Sequence, residues 1–259
     1  MTDHVGPQRP WRRRRRAWSV WSTVVDVEVR AEELDDTRAD EAFAAAVDFT
    51  HEVDRLFSPF RPDSWVSRLR SGEATEPELP ESVRDVLARC RSAQEISGGA
   101  FDPWSAGGRF DPCGYVKGWA ADRLVDLVVE AGFPNVCVNA GGDVACRGHA
   151  GRGHPWRVGL RHPYQRSRVM RVVRSAECAV ATSGTYERGH HIHGAATHRK
   201  PSGVVSATVV GPDAGLADAL ATGLVAAGAY GMRSVQRLTG WSAYLVTADR
   251  AQFTGPAFE

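Results

Sequence analysis

FDPCGYVKGWAADRLVDLVVEAGFPNVCVNAGGDV, from Phe110 to Val144, decides how the rest of the chain is read. Pro112, Gly114 and Gly118 crowd its start, so regular structure is expected to begin only at Lys117. From Lys117 to Ala131 the pattern is that of an amphipathic helix. Ala120, Leu124, Leu127, Val128 and Ala131 fall on one face, and Asp122, Arg123, Asp126 and Glu130 on the other. Gly132 stands at the expected stop, with Pro134 just beyond. Val136 and Val138 then read as a strand entering Asn139-Ala140-Gly141-Gly142-Asp143. A polar, glycine-rich mouth of this kind is expected where backbone approaches a ligand.

On the N-terminal side, Val25, Val27 and Val29 alternate with Asp26, Glu28 and Arg30, the pattern of a half-buried strand over Val24–Arg30. Arg38–Phe57 and Glu81–Gln94 are expected as amphipathic helices, with a loop between them at Pro59 and Pro62. Ser97–Trp104 is a second glycine-rich loop. On the C-terminal side short strand-like runs dominate: Trp156–Arg161, Arg168–Arg174, Cys178–Ala181, Val204–Val210 and Ala243–Thr247. A helix over Leu216–Ala229 interrupts them. Without an internal repeat or a convincing linker, this mixture predicts α+β with mixed or antiparallel sheets and packed helices. Neither GxGxxG after a strand nor GxxxxGK[ST] is present, so a nucleotide would not be held by either standard phosphate loop.

The 259 residues can bury a substantial core, and a formal charge of +1 argues against a general nucleic-acid binder. No apolar run approaches the roughly 18–20 residues of a membrane span. Five cysteines, none in CxxC spacing, are expected as reduced thiols. Arg12–Arg16 is a block of five arginines. Residues 1–17 are expected as a basic flexible tail before one domain over 18–259, and the location as cytoplasmic. The competing reading is the charged start of an export signal. The following AWSVWSTVVDVEVR carries Asp26 and Glu28 and lacks a small-residue cleavage site or a lipid-accepting cysteine.

The central stretch also carries a resemblance. DPxGxxKGxAxDR followed by NAGGD resembles the core signature of the ApbE family, flavin transferases that attach FMN from FAD to other proteins. FRPDSxxSRL at Phe60–Leu69, GGAFDP at Gly98–Pro103, TSG at Thr182–Gly184 and ADALATGL at Ala217–Leu224 follow in the family's order. The resemblance implies a T-fold-like α+β architecture and an FAD:protein FMN transferase. In such an enzyme a Thr or Ser hydroxyl of a client protein attacks FAD and AMP leaves.

By the same resemblance Mg²⁺ is held by Asp218, Thr222 and the backbone carbonyl of Ala120. FAD is bound by Trp21, Phe60, Ala100, Phe101, Asp102, Lys117, Arg123 and Ile192. A near-neutral imidazole suits the proton acceptor, and His191 is the candidate base. Asp143 is the candidate for positioning flavin or metal. Independently, Asp218 and Thr222 lie four apart on one helix, and their oxygens suit a hard cation. The plainer reading of Asp218 is a carboxylate near a helix start, stabilised by the dipole. Lys117 and Arg123 read equally as surface charges.

Several positions depart from the family. Trp21 and Phe60 stand for Met and Tyr, Ser22 for Gly, Arg70 for Asn, Thr185 for Asp, Gly194-Ala195 for Asp-Pro, His198 for Gly, and Ala221 for a third carboxylate. Gly194, Ala195 and Ala221 keep open a flavin-binding protein without catalysis, beside a hydrolase of the same fold that splits FAD into FMN and AMP. A zinc site from His190, His191, His193 and His198 is a further alternative, although no cysteine or carboxylate lies nearby at ligand spacing.

Overall fold

The computed structural model describes residues 11–105, 107–165, 167–184, 203–249 and 251–258. His190, His191, Ile192, His193 and His198 lie outside them, as do Thr185, Gly194 and Ala195.

The chain opens with a hairpin of β1 (Arg12–Val20) and β2 (Thr23–Ala31), paired from Arg12↔Ala31 to Val20↔Thr23. The arginine block is therefore not a flexible tail. A strand sends alternate side chains to opposite faces, and each face of this one meets carboxylates. Arg12 reaches Asp36 at 3.0 Å and Arg14 reaches Asp36 and Asp40, while on the other face Arg13 pairs with Glu28 at 2.9 Å and Arg15 with Asp26 at 3.0 Å. Charge also suits an edge strand, because it discourages pairing with other chains. Trp21 and Ser22 turn the hairpin, both at φ 55°, in the primed geometry that favours Gly and Asn. Ser22→Gly removes a left-handed strain of about 1 kcal/mol, partly offset by the freedom glycine adds to the unfolded chain. The expected gain in Tm is about 1–3 °C, read by thermal melting.

α1 (Asp36–Phe57) follows, with Asp35 accepting from the backbone of Arg38. The turn at Pro59 and Pro62 is shorter than the sequence implied. The Ser64 hydroxyl accepts from the Ser67 amide at 3.0 Å and starts α2 (Trp65–Ser71). After α3 (Glu81–Ile96) comes the central helix α4 (Cys113–Glu130), which begins four residues before the expected Lys117. The Asp111 carboxylate caps the Cys113 amide at 3.0 Å, and Gly114 accommodates a kink at ψ 16°. Arg70 holds this start in place, donating to the Phe110 carbonyl at 2.6 Å and pairing with Asp111 at 3.1 Å.

The remaining elements are β3 (Val136–Ala140), β4 (Asp143–Arg147), β5 (His149–Gly151), β6 (His154–Arg161), β7 (Val169–Ser175), β8 (Glu177–Gly184), β9 (Val204–Gly211), α5 (Ala214–Ala227), α6 (Met232–Gln236), β10 (Ser242–Thr247) and β11 (Ala251–Thr254). One sheet has the order β1-β2-β3-β4-β8-β9-β10-β11 and a smaller one the order β5-β6-β7. Among the described residues every strand pair is antiparallel, for example Val138↔Ala145 and Val180↔Val210. The architecture is α+β with antiparallel sheets, as the sequence predicts.

Helices α1, α4 and α5 cover one face of the large sheet. Val25, Val27, Val29, Leu124, Val128, Val138, Leu220, Leu224 and Leu245 interlock there with almost no exposure. A second cluster joins α1, α2 and α3 to the start of α4 through Phe57, Val66, Val86, Phe101 and Trp119. The other sheet face is covered by the small sheet through Trp156, Leu160 and Val173. Among the described residues no helix is long and apolar enough to cross a membrane.

Candidate functional site

α4 and α5 cross at contact distance because both carry glycine at the crossing. A Cβ on Gly118 would overlap the Ala214 carbonyl oxygen and stand 2.9 Å from the Gly215 amide, and a Cβ on Gly215 would meet the Tyr115 ring at 2.8 Å. At Gly223 the neighbour is the loop, with the Phe101 amide 2.9 Å from a Cβ there. The Ser97 hydroxyl accepts from that amide at 3.0 Å, and the Asp102 carboxylate accepts from Gln94 at 2.8 Å and from the Trp104 amide at 3.0 Å. A Cβ on Gly114 would lie 3.0 Å from Thr222 Oγ1 and 3.2 Å from the Phe101 ring. Glycines thus bring Ala100, Phe101, the start of α4 and the middle of α5 together.

Next to this junction lies a buried charged triad. Lys117 Nζ donates to Asp143 Oδ2 at 2.6 Å and to Asp218 Oδ2 at 2.7 Å, and the two carboxylate side chains are 3% and 2% exposed. Burial is the first influence on both Lys117 and Asp218, but it is outweighed at Lys117 and prevails at Asp218. The Lys117 ammonium is pushed up because Asp143 and Asp218 outweigh its loss of water. The Asp218 carboxyl is pushed up to about 7, because burial and the Asp143 charge outweigh Lys117 and the Gly118 amide. Two carboxylates against one ammonium leave one net negative charge when all are ionised.

Thr222 stands one helical turn beyond Asp218, and its Oγ1 is 3.2 Å from Ser183 Oγ at the end of β8. The donors here are oxygens, and the geometry already seats a cation, the Lys117 ammonium, between two carboxylates. Among the described residues no group of three His, Cys, Asp or Glu side chains could hold a metal ion. The donor set still fits Mg²⁺, which is held by one or two carboxylates and completed by substrate phosphates and water.

Other expected residues fall in different places. Ala120 is fully buried in α4, in the same core cluster as Ala219 of α5. Arg123 is not brought to the triad; it is half-exposed and its guanidinium pairs with Asp126 at 3.6 Å. Trp21, in the first hairpin turn, donates to the Thr50 carbonyl at 3.1 Å, and Phe60, after α1, is 90% exposed. Gly141 and Gly142 have φ 66° and 107° and close the two-residue β3–β4 turn, so hairpin geometry alone accounts for them. Ser183 was legible only as part of TSG, and its partner Thr222 lies 39 residues away.

Asp122, placed on the polar face of the central helix by its pattern, is drawn inward. Its Oδ2 accepts from the Ala214 amide at 2.7 Å, where α5 begins. Burial pushes this carboxyl up to about 7, the Asp213 and Asp126 charges adding to it against the Ala214 and Gly215 amides. The folded chain keeps the proton where the unfolded chain has lost it. Stability therefore falls as pH rises from about 4 to about 7, by about 2–4 kcal/mol, and levels off above. Asp122→Asn, neutral throughout, should gain about that much on the parent between pH 4.5 and pH 8 in denaturant titrations.

The ApbE family model matches residues 21–107 and 104–245. The FAD:protein FMN transferase of Escherichia coli K12 is 33% identical over 147 residues, covering 53% of this chain and 42% of that protein. That of Vibrio cholerae is 36% identical over 123 residues, 43% of this chain and 36% of its own length. The chain thus spans less than half the length of these relatives. The solved flavin transferase ApbE of Vibrio cholerae superposes with a TM-score of 0.80 at 21% identity, over 95% of this chain and 97% of that one. The ApbE protein of Thermotoga maritima gives 0.80 at 22% identity, over 93% and 96%. The ranges matched by the family model include both the loop at Ala100–Asp102 and the triad of α4, β4 and α5. The chain belongs to the ApbE family.

Proposed function

We propose that the chain is an FAD:protein FMN transferase. The observation that carries the reading is the Lys117–Asp143–Asp218 triad beside Thr222 in a family whose curated relatives bear that name. FAD would lie against Ala100–Phe101–Asp102, with Trp21 and Phe60 offering apolar or flat surfaces to the isoalloxazine and Ile192 a further contact. Lys117 and Arg123 would flank the diphosphate, Arg123 only after leaving Asp126.

Mg²⁺ would be held by Asp218, Thr222 and the Ala120 carbonyl, and when bound supplies charge neutralisation at the diphosphate. A Ser or Thr hydroxyl of the client forms a new P–O bond to the FMN phosphorus. The diphosphate P–O bond breaks and AMP leaves. His191 takes the hydroxyl proton, and Asp143 holds Lys117 in position. The expected compartment is the cytoplasm.

The test is incubation of the chain with FAD, Mg²⁺ and Ser/Thr-bearing candidate clients, read by client mass and nucleotide release. A client heavier by one FMN, with equimolar AMP, supports the transferase. FMN and AMP released without client gain would make the chain a hydrolase. Tight FAD binding without turnover would make it a flavin carrier.

A further inference from the structure

The five cysteines look scattered in sequence, but three meet in one row. Cys137 on β3 stands opposite Cys146 on β4, and Cys146 stands opposite Cys178 on β8. The Cys146 thiol donates to the Cys137 Sγ at 3.0 Å, and Cys178 is its cross-strand neighbour on the other side. Directly opposed residues of antiparallel strands have Cα atoms about 4.5 or 5.5 Å apart, both inside the about 4.4–6.8 Å that a disulfide spans. The row continues through Glu28 to Arg15 on the neighbouring strands. Cys146 is buried against the small sheet in the cluster of Trp156, and its two neighbours are half-buried.

We propose that Cys137, Cys146 and Cys178 form an oxidation site in which a peroxide closes one disulfide that always includes Cys146, leaving the third thiol free. Bonds to Cys146 and Ser175 hold the Cys178 thiol below its ordinary range, against burial, so Cys178 is the point of attack. Its sulfur bonds one peroxide oxygen, the O–O bond breaks, and water or an alcohol leaves with the proton. The Cys146 sulfur displaces hydroxide from this sulfenic acid, and water leaves with the Cys146 proton. Two thiols and one peroxide give one disulfide, one water and one further water or alcohol; the sulfurs lose the two electrons that the O–O bond gains. Exchange can pass the bond to Cys137–Cys146 and restore the Cys178 thiol. Cys90 and Cys113 lie outside the row, and burial pushes both thiols up, Cys113 to about 12.

The test exposes the reduced full chain to hydrogen peroxide, denatures it, labels remaining thiols with N-ethylmaleimide and maps the peptides. Five thiols less the bonded two should leave three labels, with Cys146 cross-linked to Cys137 or Cys178. Cys146→Ala should form no cross-link and lose at most the Cys178 label, to the unresolved sulfenic acid. Cys178→Ala should still close Cys137–Cys146 but about tenfold more slowly, having lost the reactive sulfur. A Cys137–Cys178 bond, label loss unchanged in Cys146→Ala, or five labels surviving where free cysteine in the same solution oxidises would overturn the proposal. If Cys146→Ala does not fold, the cross-linked peptides of the unsubstituted chain decide it.

Discussion

Gly118→Ala is expected to lower stability by about 3 kcal/mol or more, and Tm by roughly 6–12 °C. Judged on helix propensity alone the change should help, since glycine inside a helix costs about 1 kcal/mol relative to alanine. The sign reverses because the new methyl carbon would overlap the Ala214 carbonyl oxygen and crowd the Gly215 amide. Both are backbone atoms at the start of α5, so no side-chain rotation relieves the contact. The two helices must part, and the core behind Leu124 and Leu220 opens with them. Gly108→Ala is the control: glycine there has φ 76° and open space around it, so only the backbone strain of about 1 kcal/mol is expected. Equal losses in the two variants, read by denaturant titration, would show that packing at the crossing is not the cause.

Asp218→Asn should leave the chain folded and cut the proposed FMN transfer by at least about a hundredfold. The substitution is nearly isosteric, and Lys117 keeps its 2.6 Å partner Asp143, so no buried charge is stranded. What is lost is the carboxylate in the oxygen donor set. Charge stabilisation at a transferring phosphoryl group amounts to several kcal/mol, and about 1.4 kcal/mol is tenfold in rate. Thr222→Val should cost less, because water can replace a neutral hydroxyl. With its carboxyl pushed up to about 7, Asp218 is largely protonated below that pH. A proton there competes with Mg²⁺, so at limiting Mg²⁺ the proposed transfer should rise with pH in the parent, and this limb should vanish from the residual rate of Asp218→Asn. An Asn variant that unfolds would make Asp218 a structural partner of Lys117. One that stays fully active at limiting Mg²⁺ would move the metal elsewhere.

The sequence alone determined the helix of the central stretch, the alternating strand at Val25–Val29, the α+β class and the order of the family motifs. These are local in origin: a period of 3.6 or 2 and a proline or glycine stop are written in adjacent residues. The arginine block misled because its carboxylate partners lie on other elements, Asp26 and Glu28 on β2 and Asp36 and Asp40 on α1, so a charged run read as solvated is a paired edge strand. Lys117 and Asp218 are 101 residues apart and Asp122 and Ala214 are 92 apart; spacing along the chain cannot show that they meet. Only the tertiary structure decided that Lys117 is clamped between carboxylates, that Asp122 meets the Ala214 amide, and that three cysteines share one row. The physical reason is common to all three. Which charge is buried beside which depends on the crossing of α4 with α5 and on strand register, and both are set by close packing of parts far apart in sequence.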